Sequence, residues 1–174
     1  MPELEKRGHR ALTVDLPIAD PTAGVDEYVA AVADVLAGAD DDPILVAHSL
    51  SGLIAPVVAD RHRVARIIYL GAILPAPGES LLGRLEPEGV LASDYFGSLE
   101  VGDDGTAGFP PDLAGEVFYA DCTPEDRDWA VARLGRQAAR DRLGVEPREL
   151  PGGHSPFITR PVELADLLVG LSGV

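Results

Sequence analysis

Two short runs of apolar residues, Ile44-Leu45-Val46-Ala47 and Ile67-Ile68-Tyr69-Leu70, constrain this chain most. The first lacks the apolar–polar alternation of a half-solvated strand and reads as a strand buried on both faces. The second, entered at Arg66, reads as the next strand. Residues 50–60 between them are apolar all round, which predicts a buried helix. Strand, helix, strand over this length is the crossover unit of a parallel sheet.

The flanking segments extend the alternation. Residues 2–7 read as the end of a helix that Gly8 stops. Ala11-Leu12-Thr13-Val14 predicts a strand. In 25–37, Val25, Val29, Val32 and Leu36 fall on one helical face. Residues 75–111 are rich in Gly, Pro, Ser and acids, the texture of a lid or binding loop. Residues 117–120 read as a short strand, 124–143 as a helix interrupted at Gly135, and 148–150 as a possible last strand. A final helix opens near Thr159 with Pro161 in its first turn and buries Leu164, Leu167, Leu168 and Leu171.

Composition narrows the function. With 174 residues and 46% hydrophobic content, one domain spanning 1–174 is expected. Fourteen basic against 29 acidic residues leave a net charge of −15, which repels phosphate backbones and anionic lipid, so no nucleic-acid or membrane partner is expected. The single cysteine, Cys122, excludes an internal disulfide and a thiolate metal cluster. The first residues lack the apolar core of a signal peptide, and no run is long enough to cross a membrane. A cytoplasmic protein without a metal is the expectation.

Two motifs carry chemistry. In Ala47-His48-Ser49-Leu50-Ser51-Gly52 a serine stands between a strand and a helix, with small residues two positions away on either side. A sharp turn there lifts the Ser49 hydroxyl above the sheet edge and aims the Leu50 N–H at a developing oxyanion. The plain alternative is a serine N-cap. In Gly152-Gly153-His154-Ser155-Pro156-Phe157 a histidine follows a predicted strand and precedes the last helix, where a parallel sheet presents residues at its C-terminal edge. Serine first and histidine last suits nucleophile and base. A lone histidine is otherwise structural. His9 and His62 read as surface residues, and His48 as a support for its neighbour.

The stretches Gly8 to Pro17, Ala47 to Gly52 and Gly153 to Phe157 together resemble the α/β-hydrolases of the plant methylesterase and hydroxynitrile lyase type, with their bacterial relatives. The resemblance covers most of the chain. It implies an α/β fold with a mostly parallel sheet flanked by helices, shortened, with a small cap insertion at about 76–115. It also implies a Ser-acid-His triad acting on a small carboxylic ester, and no cofactor. The lyase branch relies on a lysine beside the histidine; here Ser155 holds that place and Lys6 is the only lysine.

Two departures qualify the match. The chain starts where the family has its first core helix, so Leu50 alone carries over as an oxyanion donor, and an upstream start would restore the other. The family's third strand is also missing. Either 11–14 and 44–47 pair directly, or a partner chain fills the gap, which suggests a homodimer through an exposed sheet edge. The acid is the second departure. Residues 118–134 resemble the end of the family's cap, yet 117–127 imitates a strand and its acid turn. Asp126 stands 28 positions before His154, near the family's spacing, with Asp121 and Glu125 as alternatives. All three otherwise suit a solvated helix start. Phe96, Phe109, Tyr119 and Trp129 are candidate pocket linings, or plain core. The rival to an esterase is a non-catalytic remnant serving binding or assembly.

Overall fold

The computed structural model describes residues 2–20, 22–39, 42–74, 98–103, 106–134 and 153–172. The chain divides into two compact units. One joins Val14–Gly108 with Gly135–Pro147; the other joins Met1–Thr13, Phe109–Leu134 and Arg148–Val174.

In the first unit, α1 of the other unit being Pro2–Glu5, the first helix is α2, Val25–Leu36. The Gly24 N–H donates to the Glu27 carboxylate at 2.7 Å, which satisfies an amide the helix cannot. Tyr28 and Val29 are buried on its inner face. Strand β1, Ile44–His48, pairs in parallel with β2, Arg66–Leu70, in the register Ile44 with Arg66 through His48 with Leu70. Between them lie a 3-10 turn, Ser49–Leu53, and helix α3, Ala55–Arg61. The single helix expected over 50–60 is therefore two pieces. Pro56 has no N–H to give Gly52 and its ring clashes with that carbonyl, so the α-helix starts only at Ala55. Leu53, Ile54, Ala55 and Val58 are buried as expected.

Burial of β1 on both faces does not hold: Ala47 is 4% exposed but Val46 is 44% exposed. An apolar run signals a strand without stating how many layers cover it. Residues 11–14 form no strand. Leu12 is exposed, and a stretch this short holds strand geometry only when a ladder partner satisfies its amides. A small antiparallel hairpin, β3 (Glu100–Val101) and β4 (Ala107–Gly108), closes over Gly102 and buried Thr106. Most of the expected cap, including Phe96, lies outside the described residues.

In the second unit Gly8 ends the first helical segment with φ 83, a left-handed conformation that glycine adopts without a Cβ clash. Arg7 joins that segment to the C-terminal helix α7, Pro161–Ser172, through Asp166 at 2.7 Å. Helix α4, Pro111–Phe118, packs on α5, Pro124–Val131. The strand expected over 117–120 is the end of α4 and its cap, with the Tyr119 N–H bonded to Gly115 O. Val117, Phe118 and Tyr119 favour strands by type, but contacts with α5 decide otherwise. Tyr119, Cys122 and Ala130 form a buried cluster with Phe118, Val131 and Ile158 against it. The short helix α6, Pro156–Thr159, leads into α7, where Leu164, Ala165 and Leu168 are buried and Leu167 and Leu171 half-buried. The helix expected over 124–143 ends at Val131, short of the break expected at Gly135; its remainder beyond Leu134 and the strand at 148–150 lie outside the described residues.

Candidate active site

Ser49 follows β1 directly and opens the 3-10 turn. Its φ is 53, and among the described residues it is the one non-glycine with positive φ. A serine N-cap has extended backbone; here His48 occupies that place with φ −107 and ψ 138. Left-handed backbone in a residue with a Cβ is strained and persists only where the surroundings impose it.

Three neighbours impose it. The Ser51 hydroxyl donates to His48 O at 2.5 Å and accepts the His48 N–H at 2.9 Å, closing the bend on itself. The Ile73 N–H donates to Ser49 O at 2.9 Å. Gly52 is pressed against the chain after β2: a Cβ there would lie 2.5 Å from Ile73 O and 2.9 Å from the Ala72 Cβ. Sequence reasoning treated Ser51 only as a small residue, but its hydroxyl is the clip of the turn. Leu50 stands too early in the 3-10 turn to find an i−3 carbonyl inside it, which suits an N–H donor to an anion.

His154 belongs to the other unit, on the loop ahead of α6. It is half-buried, with its ring 5.2 Å from that of Phe118. Each chain neighbour is tied to the end of α4 or the turn that follows it. The Gly153 N–H donates to Asp121 Oδ2 at 2.7 Å, and the Ser155 hydroxyl, 1% exposed, donates to Phe118 O at 2.9 Å. The sequence marks Ser155 only as the residue in place of the lyase lysine, although a serine just ahead of Pro156 is also a helix-start signal.

The three carboxylates differ in what they touch. Asp121 reaches the histidine loop. Asp126 sits in the first turn of α5, where Thr123 Oγ1 donates to its carboxylate at 2.8 Å and accepts its N–H at 3.2 Å. Glu125 is exposed on the same turn. Burial pushes the Cys122 thiol pKa up, and the negative charges of Asp121 and Asp126 add to it. Burial likewise raises that of Tyr119.

Of the aromatic candidates, Tyr119 is core and Phe109 packs edge-on against Phe118 at 5.3 Å. Trp129 is 55% exposed and carries the Arg133 guanidinium over its ring at 4.4 Å, so it lines no interior pocket. An open cavity of about 420 Å³ is lined by Leu36, Pro43, His62 and Arg63, among others. Pro43 precedes β1 and Ser49 follows it, so this cavity lies at the opposite end of the strand, roughly 16 Å away. His62 and His9 are half-buried and not plain surface residues. Among the described residues no group of His, Cys, Asp and Glu is arranged to hold a metal, and no helix is long and apolar enough to cross a membrane.

No family model matches the chain. It is 40% identical over 222 aligned residues to a pyrethroid hydrolase of Sphingobium wenxiniae, covering 97% of this chain and 79% of the relative. It is 30% identical over 133 residues to the α/β-hydrolase nvfD of Aspergillus novofumigatus, covering 69% of this chain and 48% of the relative, so it spans about half the length of that protein. Among solved structures, an extracellular α/β-hydrolase from a Paenibacillus species matches 97% of this chain and 90% of its own with a TM-score of 0.75 at 18% identity.

Proposed function

The chain belongs to the α/β-hydrolases, and on that premise we propose that it is of the methylesterase-like type and hydrolyses a small carboxylic ester with Ser49 as nucleophile and His154 as base. The strained backbone of Ser49, at the bend where β1 becomes a 3-10 turn, carries this reading.

The chemistry follows from the groups. Ser49 Oγ attacks the acyl carbon while His154 takes its proton. The carbonyl oxygen becomes an anion and accepts a hydrogen bond from the Leu50 N–H. Collapse breaks the ester C–O bond, and His154 returns the proton to the departing alcohol. Water then repeats the attack on the acyl-serine, releasing the acid and restoring Ser49. Asp126 is the carboxylate proposed to orient the imidazole. The Thr123 hydroxyl engages one of its oxygens, and a carboxylate offers about four acceptor sites. No cofactor is required. A cytoplasmic setting is part of this proposal.

A second reading has its own observation. The alignment with the Sphingobium relative runs over 222 residues, more than the 174 of this chain. The relative therefore carries interior residues without a counterpart here, which suits a scaffold kept for binding after chemistry was lost.

A fluorophosphonate probe separates the two. Labelling of the wild type and none of Ser49→Ala is the esterase outcome, together with loss of p-nitrophenyl acetate turnover in His154→Ala. Folded wild type that takes no label is the scaffold outcome. Undiminished turnover in His154→Ala removes the proposed base.

A further inference from the structure

The backbone on both sides of His154 is held by one segment, the four residues from Phe118 to Asp121. Asp121 lies 32 positions before Gly153, and Phe118 lies 37 positions before Ser155. Neither bond is a local turn. Each closes a long loop onto a chosen point, and the two points are the immediate neighbours of the imidazole-bearing residue. A Cβ on Gly153 would run into the Asp121 carboxylate, which would have to swing away and give up the amide. On the other side the Ser155 hydroxyl is fully buried, so its bond to Phe118 O is not shared with solvent. The Phe118 ring then rests beside the His154 ring, limiting where the side chain swings.

We propose that Asp121 and Ser155 are positioning residues that anchor the His154 loop through its backbone, with Asp121 acting as an acceptor for the Gly153 N–H and not as the acid facing the imidazole. The proposal rests on the reading of His154 as the base. Its logic is geometric. A base must sit within hydrogen-bond reach of the proton it takes, and displacement by about 1 Å costs on the order of 100-fold in rate. An acceptor that works through a backbone amide needs an oxygen and no charge. Asparagine supplies that oxygen, whereas an acid that stabilises imidazolium needs the charge.

The test is a set of variants in p-nitrophenyl acetate hydrolysis. Asp121→Ala is expected to lower kcat by about 10- to 100-fold with KM nearly unchanged. Asp121→Asn is expected to return to within about threefold of wild type, with the acid limb of kcat/KM unmoved. Gly153→Ala is expected to lower kcat in the wild type and to act less than additively with Asp121→Ala, since both break one contact. Amide exchange gives a readout without activity: the Gly153 N–H exchanges at least about 10-fold faster in Asp121→Ala and stays protected in Asp121→Asn. Asp121→Asn as slow as Asp121→Ala with a shifted acid limb makes Asp121 the acid and overturns the proposal. Additive costs, or unchanged exchange at Gly153, also overturn it. Full turnover in His154→Ala instead overturns the reading of the site, and the exchange data still decide the anchor.

Discussion

The strain at Ser49 has a measurable size. A residue with a Cβ in left-handed backbone costs about 1–2 kcal/mol, which glycine avoids. Glycine gives back about 0.5–1 kcal/mol because its unfolded chain is freer. With φ at 53, Ser49→Gly should be more stable than Ser49→Ala by about 0.5–1 kcal/mol. In a chain this long, each kcal/mol moves the melting point by about 2–4 °C, so the two variants should differ by about 1–4 °C. Ser49→Ala should melt close to wild type, since alanine and serine meet the same clash. Neither variant should take a fluorophosphonate label. Paired thermal and urea melts at one pH are the assay. If alanine proves at least as stable as glycine, residue 49 does not sit in left-handed backbone, and the case for an activated serine there is gone. The stabilised variant should be inactive, as expected where strain is retained for function.

Three further outcomes are expected. Gly52→Ala places a methyl 2.5 Å from Ile73 O in a buried turn; it should cost about 1–3 kcal/mol, lower the melting point, and slow serine labelling because Ile73 also holds Ser49 O. Asp126→Asn keeps the N–H bond to Thr123 and loses a charge at the start of α5, so urea melts should show a loss of about 0.3–1 kcal/mol; if Asp126 orients the imidazole, kcat falls by up to about 10⁴-fold, and an unchanged kcat confines it to the helix start. Burial raises the Cys122 pKa from its ordinary 9.0, so the stability this thiol carries is complete below that value and is lost as pH rises through the raised one. Cys122→Ala should flatten the alkaline decline in stability, and native Cys122 should react with iodoacetamide far more slowly than the unfolded chain.

Local chemistry made much of this legible before any coordinates. Pro161 opens α7, Gly8 takes the left-handed place after α1, and the apolar runs at 44–47 and 67–70 become parallel partners. Each signal acts within a turn or a few residues of itself. The failures were of another kind. Ala11 to Val14 has strand composition and no ladder, and Val117 to Tyr119 has strand composition and ends a helix. In both, the deciding partner is remote, and residue type says nothing of which partner arrives.

For the candidate site the division is similar. The strand–serine–turn pattern and the Gly-Gly-His loop were readable because strained bends and glycine-flanked loops demand particular residue types in consecutive positions. The left-handed angle at Ser49, the Ser51 clip on His48, and the tie from Asp121 to Gly153 belong to the folded chain alone. Spacing drew attention to Asp126, while contact set Asp121 against the histidine loop. A carboxylate's neighbour 32 positions away is chosen by how helices pack, and that choice leaves no mark on the residues beside it.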